Sequence, residues 1–306
     1  MNLRDLDYLV AVAELEHFGR ASERCHVSQP TLSAQIKKLE GELGVTLFER
    51  TNKSVRATPV GREIAAIARR ALEAAEDIRR AAAAHRDPLA GAARLGAIPT
   101  IAPWLVPAIL PAIQRELPTL DLALVEEMTA PLTERLLAGD LDAALIATAP
   151  ESSRLEEIPL FDEPFWLVAP RGHPLAEAPS VSAAAIDPEE LLLLSEGHCF
   201  RDQALSFCRA ARPDRRVKTD LRATSFETVL NLVAAGAGTT LAPALSLRGA
   251  WTTDQGLVAR RIDGPLAPEA SRRVRLVFRS ASPRRALFQG LAAAVKTSLP
   301  NTVTPL

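Results

Sequence analysis

Cysteine is scarce in this chain, neither sign of charge is in excess, and no apolar run is long. Three cysteines in 306 residues are too few for the disulfide-stapled scaffold of a small secreted domain. A formal net charge of -1 supplies no global basic field for nucleic acid, so any DNA binding must come from a local patch. No apolar stretch approaches the roughly 18 residues that a membrane helix needs. The opening "MNLRDLDYLVAVAELEHF" carries acidic residues inside its apolar stretch and no small-residue cleavage site, so it does not read as a signal peptide. No repeat at solenoid period is visible. What is present is a chain that is 47% hydrophobic, enough for a sizeable core in two domains or one large one. The expected compartment is the cytoplasm, where stable structural disulfides are rare.

Residues 1–58 read as short helices followed by a wing. Leu6, Leu9, Val10, Val12 and Ala13 form one helical face, and a second helix runs from Phe18 to about Cys25. After a tight break at "HVS", Ser28 is a good N-cap, Pro30 is tolerated in the first turn, and Leu32, Ile36, Leu39 and Leu43 recur at helical spacing until Gly44 ends the helix. "VTLFERTNKSVRATPVG" then holds two short extended pieces around a turn. This order, helix, helix-turn-helix and wing, places the third helix where it can enter a major groove. Ser28, Gln29, Thr31, Ser33 and Gln35 can exchange hydrogen bonds with base edges, and Lys37, Lys38, Arg50, Lys53 and Arg56 can hold phosphates. A capped polar helix face is the plain alternative.

Residues 59–90 change character. Val60, Ile64, Ile67, Ala71, Ala74 and Ile78 are spaced 4, 3, 4, 3, 4, an a/d seam over almost three heptads. The expectation is a dimerisation helix, with "AHRDPLAG" as the hinge after it. From residue 91 onward, short apolar runs alternate with helical segments, as in "DAALIA", "FWLVAP" and "TTLAP" against Leu105–Leu117, Leu132–Ala138 and Phe226–Ala235. That alternation predicts an α/β domain with mostly parallel sheets, split into lobe I (about 91–163 and 269–306) and lobe II (about 164–268).

Two of the three cysteines lie in "GHCFRDQALSFC". "LLLLS" reads as a strand, "EGH" as a turn and the rest as a helix, which puts Cys199 near a helix start. The helix dipole, Arg201 and a protonated His198 would each favour the thiolate there, and a thiolate attacks peroxide to give a sulfenic acid. Cys208 is the second thiol, but nine residues of helix separate the two by roughly 13.5 Å of rise, against a disulfide limit near 7 Å between Cα atoms. A bond between them requires the helix to be remodelled, which describes a switch rather than a staple. Other readings stay open. Cys208 at i, i+3 from Leu205 fits a core residue, and a metal site on His198, Cys199 and Cys208 lacks a fourth ligand. Cys25 reads as packing.

"AELEHFGRASERCHVS" with "SQPTLSAQIKKLEGELGVTLFERT" resembles the DNA-binding domain of the LysR-type transcriptional regulators. The resemblance implies a winged helix-turn-helix, a dimerising linker helix and a two-lobed effector domain like a periplasmic binding protein. It also implies that Gln29, Pro30, Thr31, Ser33 and Arg50 stand where the family contacts DNA. "GHCFRDQALSFC", "AIPTIAPWLVPAILP", "PLFDEPFWLVAP" and "LRATSFETVLNLVAAGAGTTLAPAL" are similar to the peroxide-sensing branch of that family, whereas "RAARPDRRVKTD" departs from it. By that resemblance Cys199 is the peroxidatic and Cys208 the resolving thiol, while Thr100, Thr129, His198, Asp202 and Arg273, with the adjacent Arg272 as the alternative arginine, line the peroxide pocket. The implied partners are promoter DNA, RNA polymerase, hydrogen peroxide as signal, a glutaredoxin or thioredoxin-type reductant, and copies of the chain as a homodimer or a homotetramer built as a dimer of dimers. Neither cofactor nor metal is expected. A LysR-type regulator that binds an organic effector in the cleft between lobes, and a thiol peroxidase, are the competing classes.

Overall fold

The computed structural model describes residues 1–50, 55–84, 89–215, 222–247 and 256–306. The chain divides into two compact units, Met1–Ala82 and Ala83–Leu306.

In the first unit, α1 (Leu3–Leu15), α2 (Phe18–Arg24) and α3 (Gln29–Leu43) precede a hairpin of β1 (Phe48–Arg50) and β2 (Val55–Ala57), then α4 (Pro59–Ala84). Each start has its own cap. Asn2 and Asp5 form a reciprocal capping box on α1, and the Ser28 hydroxyl accepts from the Thr31 backbone N–H on α3. The turn between α2 and α3 carries His26 at φ 53°, and Gly44 closes α3 at φ 70°, a left-handed value that costs glycine little. Leu32, Ile36 and Leu39, spaced i, i+4, i+7, are buried against Leu6, Leu9, Val12 and Phe48. Burial of each such side chain contributes about 1.5–3 kcal/mol. Cys25 packs at the edge of this core.

Helix α4 corrects one expectation. Ile64 and Ala71, assigned to the dimer seam, pack instead against the core of their own unit beside the buried Ala65 and Ala68. Val60 is half-buried, and Ile67, Ala74 and Ile78 are exposed, with Ile67 and Ile78 at 49% and 71%. The seam is one stripe on the helix, and the edge of it nearest the buried Ala65 and Ala68 packs on its own unit while the rest is left outward.

The second unit is built on a nine-stranded sheet whose main path runs β4–β3–β5–β12–β6–β11–β7, with β10 and β13 also paired to β6. The strands are β3 (Gly91–Ala97), β4 (Leu120–Glu126), β5 (Ala143–Ile146), β6 (Leu155–Pro170), β7 (Ser180–Ser182), β10 (Thr240–Pro243), β11 (Leu257–Asp263), β12 (Ser271–Arg279) and β13 (Thr304–Pro305). Two further strands, β8 (Leu193–Leu194) and β9 (Arg222–Ala223), make a small parallel sheet. The helices are α5 (Ala102–Glu116), α6 (Thr129–Ala138), α7 (Pro174–Glu177), α8 (Cys199–Ala211), α9 (Phe226–Ala234) and α10 (Arg285–Thr297).

The 16-residue β6 joins two cores. Its first part, to Pro164, pairs antiparallel with β12, and its last part, from Phe165, pairs antiparallel with β10 and β11. One core gathers β3, β5, β12, α5, α6 and α10 around Phe161, Phe278 and Phe288. The other gathers α8, α9, β10 and the end of β6 around Phe165, Phe200, Phe207 and Phe226. Strands β3–β4, β3–β5 and β7–β11 are parallel, but the pairings of β6 and β12 are antiparallel, so the sheet is mixed rather than mostly parallel.

Candidate redox site

Three chain segments meet at the carboxyl ends of the central strands, where open α/β sheets place their ligand sites. They are the loop after β3 (Ile98, Pro99, Thr100), the start of α6 (Met128, Thr129) and the start of α8 (Gly197, His198, Cys199, Phe200). Together they line a small cavity, with about 10 Å³ of room for the centre of a water-sized molecule. A wider groove of about 580 Å³ lies beside it and shares Thr129, Gly197 and Cys199. The N-termini of α6 and α8 both face this region, and their partial positive charge favours negative charge there.

Gly197 makes the approach possible. Its φ is +95°, and a Cβ there would stand 2.8 Å from the Met128 sulfur. His198 follows as the N-cap of α8 and is 5% exposed. Burial pushes its pKa down, against the upward pull of a hydrogen bond with the Thr224 backbone. An interaction that favours the protonated ring is donation to the Thr224 carbonyl, so one ring nitrogen carries hydrogen and the ring is neutral near pH 7. The protonated His198 expected from the sequence is therefore not what burial leaves. His198 Nε2 and Thr129 Oγ1 are both buried without a hydrogen-bond partner. In this neutral tautomer Nε2 is an acceptor, and the hydroxyl can act either way. Two orphaned polar atoms on one cavity are a strong local cost unless something small and polar occupies it.

Thr100 is fixed from behind by an arginine, and that arginine is Arg272. Its Nη1 donates to Thr100 Oγ1 at 2.7 Å, its Nη2 to the Thr100 carbonyl at 3.0 Å, and its Nε to Glu163 Oε2 at 2.8 Å. The guanidinium also lies 5.7 Å from the Phe200 ring centroid. Arg273, assigned to the pocket from the sequence, points the other way. It forms a two-pronged ion pair with Asp162 at 2.8 and 2.9 Å on the outer face, and Arg273 holds the Asp162 carboxyl below its usual range. Alternation along β12 decides this: Arg272 is buried, Arg273 exposed, Val274 buried.

Cys199 and Cys208 are both free thiols on α8, at its first and tenth residues. Cys199 is half-buried against the first core. Cys208 is 3% exposed in the second core, and burial pushes its thiol up to about 11. Asp202 has a 79%-exposed carboxylate and lines the wide groove rather than the small cavity. Sequence reasoning missed two groups. Gln203, one turn past Cys199, donates from Nε2 to the Ala147 carbonyl at 2.8 Å and ties α8 to the end of β5. Glu163 stands beside the exposed-face Asp162 on β6 and is fully buried; four acids lie on that strand, so composition alone did not single it out.

In the first unit, Gln29, Pro30, Thr31, Lys37 and Lys38 are exposed on α3, with Ser33 and Gln35 half-buried. The Ser28 hydroxyl is committed to the cap and to Thr31 Oγ1 at 2.7 Å. Lys53, the "TNKS" turn and the Arg50 side chain lie outside the described residues, as do 85–88 of the hinge and 216–220 of the divergent stretch. Among the described residues no group of three or more His, Cys, Asp or Glu side chains could hold a metal, and no helix is long and apolar enough to cross a membrane.

Residues 3–62 match the family model "Bacterial regulatory helix-turn-helix protein, lysR family", and residues 86–300 match "LysR substrate binding domain". The chain is 43% identical to the DNA-binding transcriptional dual regulator OxyR of Escherichia coli K12 over 299 residues, covering 98% of this chain and 96% of that protein. Among solved structures, full-length OxyR from Pseudomonas aeruginosa, in a cysteine-to-aspartate form, matches with a TM-score of 0.77 at 38% identity, over 100% of this chain and 98% of that one. A hydrogen peroxide-bound cysteine mutant of Corynebacterium glutamicum OxyR matches at 0.67 and 35% identity, over 97% of this chain and 92% of that one. With both of its units matched and its relatives covered from end to end, the chain belongs to the LysR family of transcriptional regulators, in the OxyR branch.

Proposed function

We propose that this regulator senses hydrogen peroxide through Cys199 and reports it to promoter DNA. The observation that carries the reading is the pair of unpartnered buried atoms, His198 Nε2 and Thr129 Oγ1, on a water-sized cavity next to Cys199. Arg272 donates to Thr100 Oγ1, so the Thr100 hydroxyl proton is free to be donated elsewhere. The lining thus offers an acceptor at His198, a donor at Thr100 and either at Thr129. Hydrogen peroxide, with two donors and two acceptors on two oxygens, satisfies that set. An organic effector is too large for this cavity and would leave its atoms unpaired.

The chemistry closes in two steps. The Cys199 sulfur, as thiolate, takes one peroxide oxygen; the O–O bond breaks, the sulfur becomes a sulfenic acid, and the other oxygen leaves with a proton as water. The Cys208 sulfur then displaces hydroxide from that sulfenic acid, forming the S–S bond and a second water. Within α8 the two Cα atoms are about 13 Å apart, so this step requires α8 to unwind. A glutaredoxin or thioredoxin-type dithiol reverses it, taking up the disulfide and returning two thiols.

We assign residues 1–58 to DNA binding, 59–90 to dimerisation and hinge, and 91–306 to sensing. Gln29, Thr31, Ser33 and Gln35 face bases, Pro30 sets the helix entry, and Lys37, Lys38, Arg50 and Lys53 meet phosphates. Val60, Ile67, Ala74 and Ile78 face a partner α4. The assembly is a homotetramer, a dimer of dimers, whose repacking changes contact with DNA and RNA polymerase in the cytoplasm. Cavity size supplies the test. Cys199 oxidation, followed by quenched alkylation, should be at least tenfold faster with hydrogen peroxide than with tert-butyl hydroperoxide. Equal rates would remove the cavity from the reaction.

A further inference from the structure

We infer that Glu163 is a positioning residue for the peroxide reaction: its buried carboxylate holds Arg272, and through it Thr100, at the point where β6 crosses between the two cores. The inference rests on the peroxide reading above. Glu163, on β6, touches two other elements, one with each carboxylate oxygen. Oε2 accepts from Arg272 Nε at 2.8 Å, and Oε1 accepts from the Leu245 backbone N–H at 2.8 Å. Leu245 lies in the short 3-10 turn Ala244–Leu247 that follows β10, and its side chain belongs to the first core although β10 itself belongs to the second. Glu163 therefore fastens the outgoing strand β6, the returning turn after β10, and the arginine of β12. Both side chains of the pair are 0% exposed.

The charge is what this arrangement requires. An arginine cannot shed its proton in a protein, and a buried one without a counter-charge is strongly unfavourable. Arg272 makes one carboxylate contact, to Glu163, and aims its two remaining nitrogens at Thr100. Without the anion the guanidinium has reason to seek water, and Thr100 Oγ1 loses the donor that orients its proton. The position of Glu163 one residue before the change of pairing partner on β6 places the same carboxylate where a rearrangement between the cores would act on the pocket.

The test uses the full chain carrying Glu163→Gln, which keeps shape and removes charge, and Glu163→Asp, which keeps charge and shortens the reach. Two rates are read at Cys199: oxidation by hydrogen peroxide and alkylation by iodoacetamide. Glu163→Gln should slow oxidation at least tenfold and alkylation less than threefold, with Glu163→Asp between it and the native protein. A purely structural role would move both rates together, and that result overturns the inference, as does a native peroxide rate in Glu163→Gln. If Glu163→Gln does not fold, the neutral pair Glu163→Gln/Arg272→Met removes the unpaired cation. A native peroxide rate in that double variant overturns the inference, and a tenfold loss with alkylation retained supports it. Should the native chain itself resist peroxide, the failure lies with the sensor reading, not with Glu163.

Discussion

The two ends of α8 carry the same residue type in opposite surroundings. At its start, Cys199 is half-buried beside a small cavity with two orphaned polar atoms and two helix N-termini. Near its end, Cys208 sits in an apolar cluster, its thiol pushed up to about 11. Phe200, Ala204 and Phe207 bury one face of the helix in that second core, and Phe200 meets Phe165 and Phe226 edge to face. Gln203, on the flank of that face, ties the helix to the end of β5 near the first core. Reactivity here is a property of position on the helix. In the proposed switch, Cys208 is held as a buried thiol until the helix opens, which would separate sensing from locking.

The largest way to break this comparison is Cys199→Ser. Disulfide formation under peroxide should fall more than a hundredfold by mass spectrometry, and a residual Cys208 oxidation near the native rate would contradict the division of labour. Next comes Phe207→Ala, which opens a cavity beside Cys208. It should cost about 3–5 kcal/mol in denaturant unfolding and raise the alkylation rate of Cys208 while leaving Cys199 unchanged.

A pH experiment isolates the buried end. Cys208 titrates near 11 in the folded chain and near 8.5–9 when unfolded. Below about pH 8 both states hold the proton and nothing is gained or lost. Between 9 and 11 the unfolded state loses its proton first, so stability falls as pH rises, by about 2–3 kcal/mol. Cys208→Ala should flatten that part of the stability curve; an unchanged slope would show that Cys208 is not its source.

The smallest effect sharpens the reactive end. Gly197→Ala places a Cβ against the Met128 sulfur at a left-handed φ, costing about 1–2 kcal/mol. It should slow Cys199 oxidation severalfold without changing Cys208 alkylation, and parallel changes at both thiols would argue for global loosening instead.

Much of this was legible in the sequence, and the gaps have physical causes. The caps at Ser28 and Gly44, the leucine and isoleucine face of α3 and the long α4 are local, and local patterns write themselves into neighbouring residues. The order of "LLLLS" as strand, "EGH" as turn and "CFRDQALSFC" as helix puts Cys199 at a helix start, where the structure has it. Register was not legible: Arg272 and Arg273 are chemically identical, and only the pairing of β12 with β6 assigns one to the interior. Glu163 and Arg272 are 109 residues apart in sequence, so no local spacing joins them. On α4, a heptad count could not say that Ile64 and Ala71, at one edge of the seam, would pack on their own unit.

The central claim is the two-thiol switch on α8, and peptide mapping tests it most directly. The native chain is given a brief stoichiometric pulse of hydrogen peroxide, and all free thiols are then alkylated. The expected result is a disulfide joining the peptides of Cys199 and Cys208, absent in Cys199→Ser. If both thiols remain alkylatable under a pulse that oxidises a control peroxidase, the switch does not exist in this chain.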